Sequence, residues 1–150
     1  MRLNGQKAEN LAASLLRFEG YVVDQAHAQR VYEWAADGSR RAVHAHDRFG
    51  CIDLVAVNVV GPTRLIQVTH PSGVAERKRK LGLKLGPVCR NPGVRVELWK
   101  WMGEGFAVEV LGPGLDGVHD SWTLIPGLAR VVTQALMDQL DNSEDACPIV

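Results

Sequence analysis

Asp53 stands inside an apolar stretch, Cys51-Ile52-Asp53-Leu54-Val55-Ala56-Val57-Asn58-Val59-Val60, and Gln67 interrupts a second one, Thr63-Arg64-Leu65-Ile66-Gln67-Val68-Thr69. A carboxylate in a strand buried on both faces costs several kcal/mol unless it is paired or binds a cation, so Asp53 requires a partner. Gly61-Pro62 separates the two stretches, and a tight turn there would lay Asp53 and Gln67 side by side at one end of a sheet. Oxygen ligands from Asp53, Gln67 and the Val68 backbone carbonyl suit a hard divalent cation such as Mg²⁺, which takes few protein ligands and keeps several waters. One of those waters is the candidate nucleophile. Glu9, beside the apolar face of the first helix, is a third polar residue that the local pattern does not ask for.

Each residue also has a plainer reading. Glu9 is of a type common on helix surfaces, and Gln67 can be a buried amide whose hydrogen bonds are satisfied. His44, His46 and Asp47 form a His-x-His-Asp loop motif of low specificity for a transition metal. Trp99 and Trp101 share one strand face and read as core. Cys51, Cys89 and Cys147 are odd in number and far apart, which excludes a disulfide framework and a CxxC zinc knuckle.

The elements that must hold these residues follow from periodicity. Ala8, Leu11, Ala12, Leu15, Leu16 and Phe18 recur every three or four residues behind Asn4 as N-cap, with Gly20 past the end, giving an amphipathic helix. Tyr21–Val23 is a short strand. Val31–Trp34 and Arg41–His44 can pair across the turn signal Ala36-Asp37-Gly38-Ser39. Stretches 51–60 and 63–69 are neighbouring strands rich in β-branched residues. Pro71-Ser72-Gly73 breaks the sheet and leads into a helix over 74–83, stopped by Gly86-Pro87. Residues 94–101 and 106–110 form a hairpin, and 124–140 reads as a further amphipathic helix. The order implies one α/β domain over 1–140, a mixed sheet flanked by helices, followed by an acidic tail at 141–150 that is expected to be disordered.

The 150 residues carry 17 Lys and Arg against 17 Asp and Glu. The balance hides a split: residues 1–101 hold 16 basic against 9 acidic side chains, and 102–150 hold 1 against 8. The basic run Arg77-Lys78-Arg79-Lys80, with Lys84 and Arg48, would attract a phosphate backbone whatever the global charge, or else forms a solvated helix face. No stretch approaches the length of a membrane span, and no secretory leader is evident, so the expected location is the cytoplasm.

These residues carry a resemblance. The helix start Gly5-x-x-x-Glu9, the strand Gly20-Tyr21-Val22-Val23, the strand Asp53-Leu54-Val55-Ala56-Val57 and the strand end Gln67-Val68-Thr69 appear in the order seen in PD-(D/E)xK nucleases similar to Holliday junction resolvases. The similarity runs from residue 4 to about residue 101 and extends to phage- or prophage-borne members. It implies a restriction-endonuclease-like fold and a Mg²⁺- or Mn²⁺-dependent endonuclease that hydrolyses DNA, branched DNA included, in recombination or repair. It also implies Glu9, Asp53 and Gln67 as metal ligands. Where the pattern has Lys, this chain has Thr69, so the cation that steadies charge on the scissile phosphate must come from elsewhere, with Lys78 or Lys80 as the candidates and His70 as a nearby base.

Two other readings stay open. Gln67 and Thr69 in place of an acid and a base would suit a catalytically silent nucleic-acid-binding module. The charge split would suit a small protein that self-associates, its basic helix meeting the acidic C-terminus of a second copy. DNA and a homodimer partner are the expected partners, and no organic cofactor is called for.

Overall fold

The computed structural model describes residues 3–26, 29–45, 49–115 and 120–125. Helix α1 spans Gly5–Phe18, and the Asn4 side chain accepts a 2.8 Å hydrogen bond from the Lys7 N–H, satisfying one of the N–H groups that a helix start leaves open. Its buried residues are Ala8, Leu11, Ala12, Ala13 and Leu16. Phe18, expected on that apolar face, is 89% exposed, because it falls in the last turn, beyond the sheet that the earlier residues cover.

Strands β1 (Val22–Gln25), β4 (Leu54–Val57), β5 (Thr63–Thr69), β6 (Val94–Trp101), β7 (Phe106–Pro113) and β8 (Asp120–Leu124) form one sheet in the order β1-β4-β5-β6-β7-β8. Among the described residues only the β5–β6 pair is parallel, and helix α2 (Val74–Leu85) makes the crossover between them. Strands β2 (Gln29–Trp34) and β3 (Arg40–Ala45) pair as a separate hairpin, as the turn signal at 36–39 predicts. The expected α/β class with a mixed, helix-flanked sheet is therefore present.

Each face of the sheet has its own core. On one, α1 packs on Leu54, Ala56, Ile66, Val68, Trp99 and Trp101, and the two Trp rings meet Phe106 at centroid distances of 5.4 and 5.1 Å. The reading of both Trp residues as core holds. On the other face, Leu81 and Leu85 of α2 pack with Leu65, Val96, Leu98 and Leu111.

Two expected elements differ. The stretch 51–60 is a strand only over Leu54–Val57; Asp53 lies in a bend just before it, and Val59 and Val60 are 100% and 82% exposed where the chain turns towards β5. Apolar residues in that turn gave the false length. Strand β8 was not anticipated, and Leu124, expected to open a helix, is its last residue. The backbone there pairs with β7, which runs three residues beyond the expected end at Val110, and Trp122 packs against the α2-side core. The rest of the expected helix and the 141–150 tail lie outside the described residues. Among the described residues no helix is long and apolar enough to cross a membrane.

Candidate functional site

Strand β5 positions the site. Its last residues, still paired with β6, lie between the start of α1 and the start of α2, and Asp53 joins this end from the bend before β4: its N–H donates to the Ile66 carbonyl at 3.0 Å. With Leu54 opposite Ile66 in the antiparallel register, Asp53 falls opposite Gln67, on the same face of the sheet.

Asp53 is 4% exposed and Gln67 2%. One carboxylate oxygen of Asp53, Oδ2, accepts from Gln67 Nε2 and, at 2.7 Å, from the Val68 N–H. The same Gln67 Nε2 lies 3.3 Å from the Val68 carbonyl oxygen. The amide NH₂, a partly positive group, thus sits between two oxygens that are candidate cation ligands. This arrangement tests whether the residues fit Mg²⁺ or Mn²⁺. The donors Glu9, Asp53, Gln67 Oε1 and the Val68 carbonyl are all oxygens, as a hard cation requires, and the place between two of them is held by a donor that can turn away. In kind, the set fits. Among the described residues no cluster of three or more His, Cys, Asp or Glu side chains stands ready for a metal.

A small cleft of about 160 Å³ opens at the same strand end, lined by Glu9 of α1, Val68, Thr69, His70 and, from the start of α2, Gly73 and Arg77. Asp53 and Gln67 do not line it; they lie one residue back along the sheet. Val68 joins the two groups, since its N–H holds Asp53 while the residue forms part of the cleft wall. Thr69 is 5% exposed, and its hydroxyl donates to the His70 carbonyl at 3.0 Å. A Cβ on Gly73 would come within 3.0 Å of Thr69 Oγ1 and 3.6 Å of Arg77 Nε, so glycine here lets the helix start close on the strand end.

The basic helix spends its charges in several directions. Lys78 belongs to the inner stripe Val74, Lys78, Leu81, Leu85 and reaches away from the cleft: its ammonium lies 2.7 Å from Glu109 Oε1 and 5.7 Å from the Trp122 ring centre. Arg79 pairs with Glu76 on the exposed side at 2.6 Å, and the hydrogen bonds and charge of Arg79 hold the Glu76 carboxyl below its ordinary range. Lys80 is half-buried, one helical turn after Glu76, and does not line the cleft. Lys84 donates to the Phe49 carbonyl at 3.2 Å and crosses so close to Gly50, at φ 68°, that a Cβ there would meet the ammonium at 2.5 Å. Lys84 thereby ties the turn before Asp53 to α2. Arg48, His46 and Asp47 lie outside the described residues.

The structure therefore brings Glu9, Val68 and Thr69 to one cleft and Asp53, Gln67 and Val68 to one hydrogen-bonded set beside it. Neither Lys78 nor Lys80 joins the cleft. The cation at its wall is Arg77, which the sequence reading assigned to DNA contact alone. The signal for it was the spacing Gly73 to Arg77, four residues on one helix face, with Gly73 four after Thr69.

Comparison with protein-family models, with curated proteins and with solved structures finds no match.

Proposed function

We propose that this protein is a divalent-metal-dependent DNA endonuclease with a restriction-endonuclease-like fold, its site at the C-terminal end of β5. The observation that carries the reading is Asp53 set against Gln67 and Val68 beside a cleft that holds Glu9, Thr69 and Arg77. The connection of β5 through α2 to a parallel β6 also agrees with it.

Asp53, Glu9, Gln67 Oε1 and the Val68 carbonyl would hold Mg²⁺ or Mn²⁺. When bound, such an ion supplies positive charge to the scissile phosphate and lowers the pKa of water. The chain's own residues do the rest. Arg77 places a permanent cation at the cleft wall, in the role that Lys fills in the resembling family, and its planar fork can take two phosphate oxygens at once. Thr69 carries no charge; its hydroxyl, held by the His70 carbonyl, shapes the wall between Glu9 and Arg77. His70 lines the cleft, where it could pass a proton to the leaving oxygen as the P–O bond breaks. Gln67 would turn its amide to offer oxygen, giving up its contacts to Asp53 and to the Val68 carbonyl together.

The silent-module reading keeps one supporting observation, the hydrogen bond that closes Asp53 onto Gln67. A nicking assay on supercoiled, nicked and branched DNA with Mg²⁺, Mn²⁺ or EDTA decides between them. Metal-dependent cleavage is the expected result. Salt-dependent DNA binding with no cleavage under any of these conditions would establish the silent module instead.

A further inference from the structure

We infer that the groove beside the cleft, walled by Lys7 and Met102, is a subsite for a single-stranded nucleotide segment next to the bond that is cut; this rests on the DNA-cleaving reading above. The groove holds about 910 Å³, at the upper end of the range for ligand sites, and is continuous with the cleft because His70 and Ser72 line both. A strand whose phosphate lies by Glu9 and Arg77 therefore has an open path over His70 and Ser72.

The walls offer two chemistries. Lys7 and His70 supply nitrogen groups on the path of a phosphate chain, and among the described residues no Asp or Glu lines the groove. The first turn of α1, which forms the Lys7 side, also carries no acid. Opposite, at the turn between β6 and β7, Met102 is 56% exposed over a floor made by Leu3 and Trp101, which are 6% and 3% exposed. Trp101 is too deeply buried to stack on a base, but the soft thioether of Met102 can lie against one. An anionic backbone with flat apolar faces is the ligand that uses both walls. In a duplex those faces are stacked inside, and the protein meets phosphates, sugars and base edges, so Met102 has no flat face to lie against. The matching ligand is an unpaired strand.

The test measures fluorescence anisotropy of the full chain in Ca²⁺ with a labelled oligodeoxythymidine of about eight nucleotides and with a blunt duplex. Lys7→Glu and Met102→Glu change exposed side chains, and circular dichroism confirms that both variants fold. Each should weaken single-strand binding by about tenfold while changing duplex binding by less than about threefold, and Lys7→Glu should flatten the salt slope by about 0.7. Unchanged single-strand affinity in both variants, with affinity lost in Arg77→Ala, would overturn the groove and leave the cleavage reading standing. Wild-type protein that binds neither DNA would overturn both.

Discussion

The two ends of strand β5 both bury charge or strong polarity, and they handle it differently. At the first end, Arg64 is 6% exposed and Glu97 fully buried, and the guanidinium meets the carboxylate through two 2.6 Å hydrogen bonds. Trp99 Nε1 donates to the same carboxylate at 3.0 Å, and Arg95 Nε stands 3.4 Å from it, close enough for charge but outside hydrogen-bonding geometry. Arg64 also lies 5.1 and 5.6 Å from the ring centres of Tyr21 and Trp99. Burial pushes the Arg64 pKa down, but the hydrogen bond and charge of Glu97 outweigh it, so the guanidinium is held more firmly protonated than usual. At the other end, Asp53 Oδ2 meets an amide and a backbone N–H, both neutral, next to an open cleft. Opposite charge in fork geometry closes the first end into structure. At the second end a side-chain amide that can turn away and a strand N–H hold the carboxylate, an arrangement that suits the proposed cation site.

The largest effect should come from breaking the closed end. Glu97→Ala leaves two guanidinium groups under the sheet without their carboxylate and should cost about 3–5 kcal/mol, read as a lower urea midpoint. A loss below about 1 kcal/mol would mean that water reaches Arg64 and that the two ends are alike.

At the open end, Arg77→Ala should slow single-turnover cleavage by about 10²-fold, whereas Lys78→Ala, which removes the Glu109 pair and the contact with the Trp122 ring, should cost about 1 kcal/mol of stability and leave cleavage unchanged. The reverse ranking would return the catalytic cation to Lys78. Gln67→Glu sharpens the contrast further. A second carboxylate against Asp53 should lower stability by about 1–3 kcal/mol in EDTA, and Mg²⁺ at about 100 times its dissociation constant should restore about 2.7 kcal/mol. Thermal melts with and without Mg²⁺ read both values, and a variant indifferent to Mg²⁺ would remove Gln67 from the ligand set.

The smallest effect should come from the start of α1. Asn4→Ala deletes its cap and should cost about 1 kcal/mol, read by chemical denaturation.

How far the sequence reaches is itself explained by these contacts. Helix α1, strands β5 and β6 and the β2–β3 hairpin were legible because capping, period-two alternation and turn residues agree there. Strand β8 was not: its residues are exposed or half-buried, so no apolar alternation marks it, and backbone pairing with β7 makes it a strand. Asp53 and Gln67 could be paired from the short turn between their stretches. The direction of each cation in Arg77-Lys78-Arg79-Lys80 could not be read from a charge run, and the stripe Val74, Lys78, Leu81, Leu85 that sets Lys78 under the helix runs past the expected helix end at residue 83.

The most direct test measures unfolding free energy and single-turnover cleavage side by side for Asp53→Asn and Glu97→Gln. Asp53→Asn keeps the shape of the open end, so stability should fall by no more than about 1–2 kcal/mol while metal-dependent cleavage falls more than about 10²-fold. Glu97→Gln should do the opposite, losing stability and, below its melting temperature, cutting at the wild-type rate. An Asp53→Asn protein that cuts as fast as wild type, or that unfolds while Glu97→Gln loses cleavage, would contradict the assignment of chemistry to one end of β5 and structure to the other.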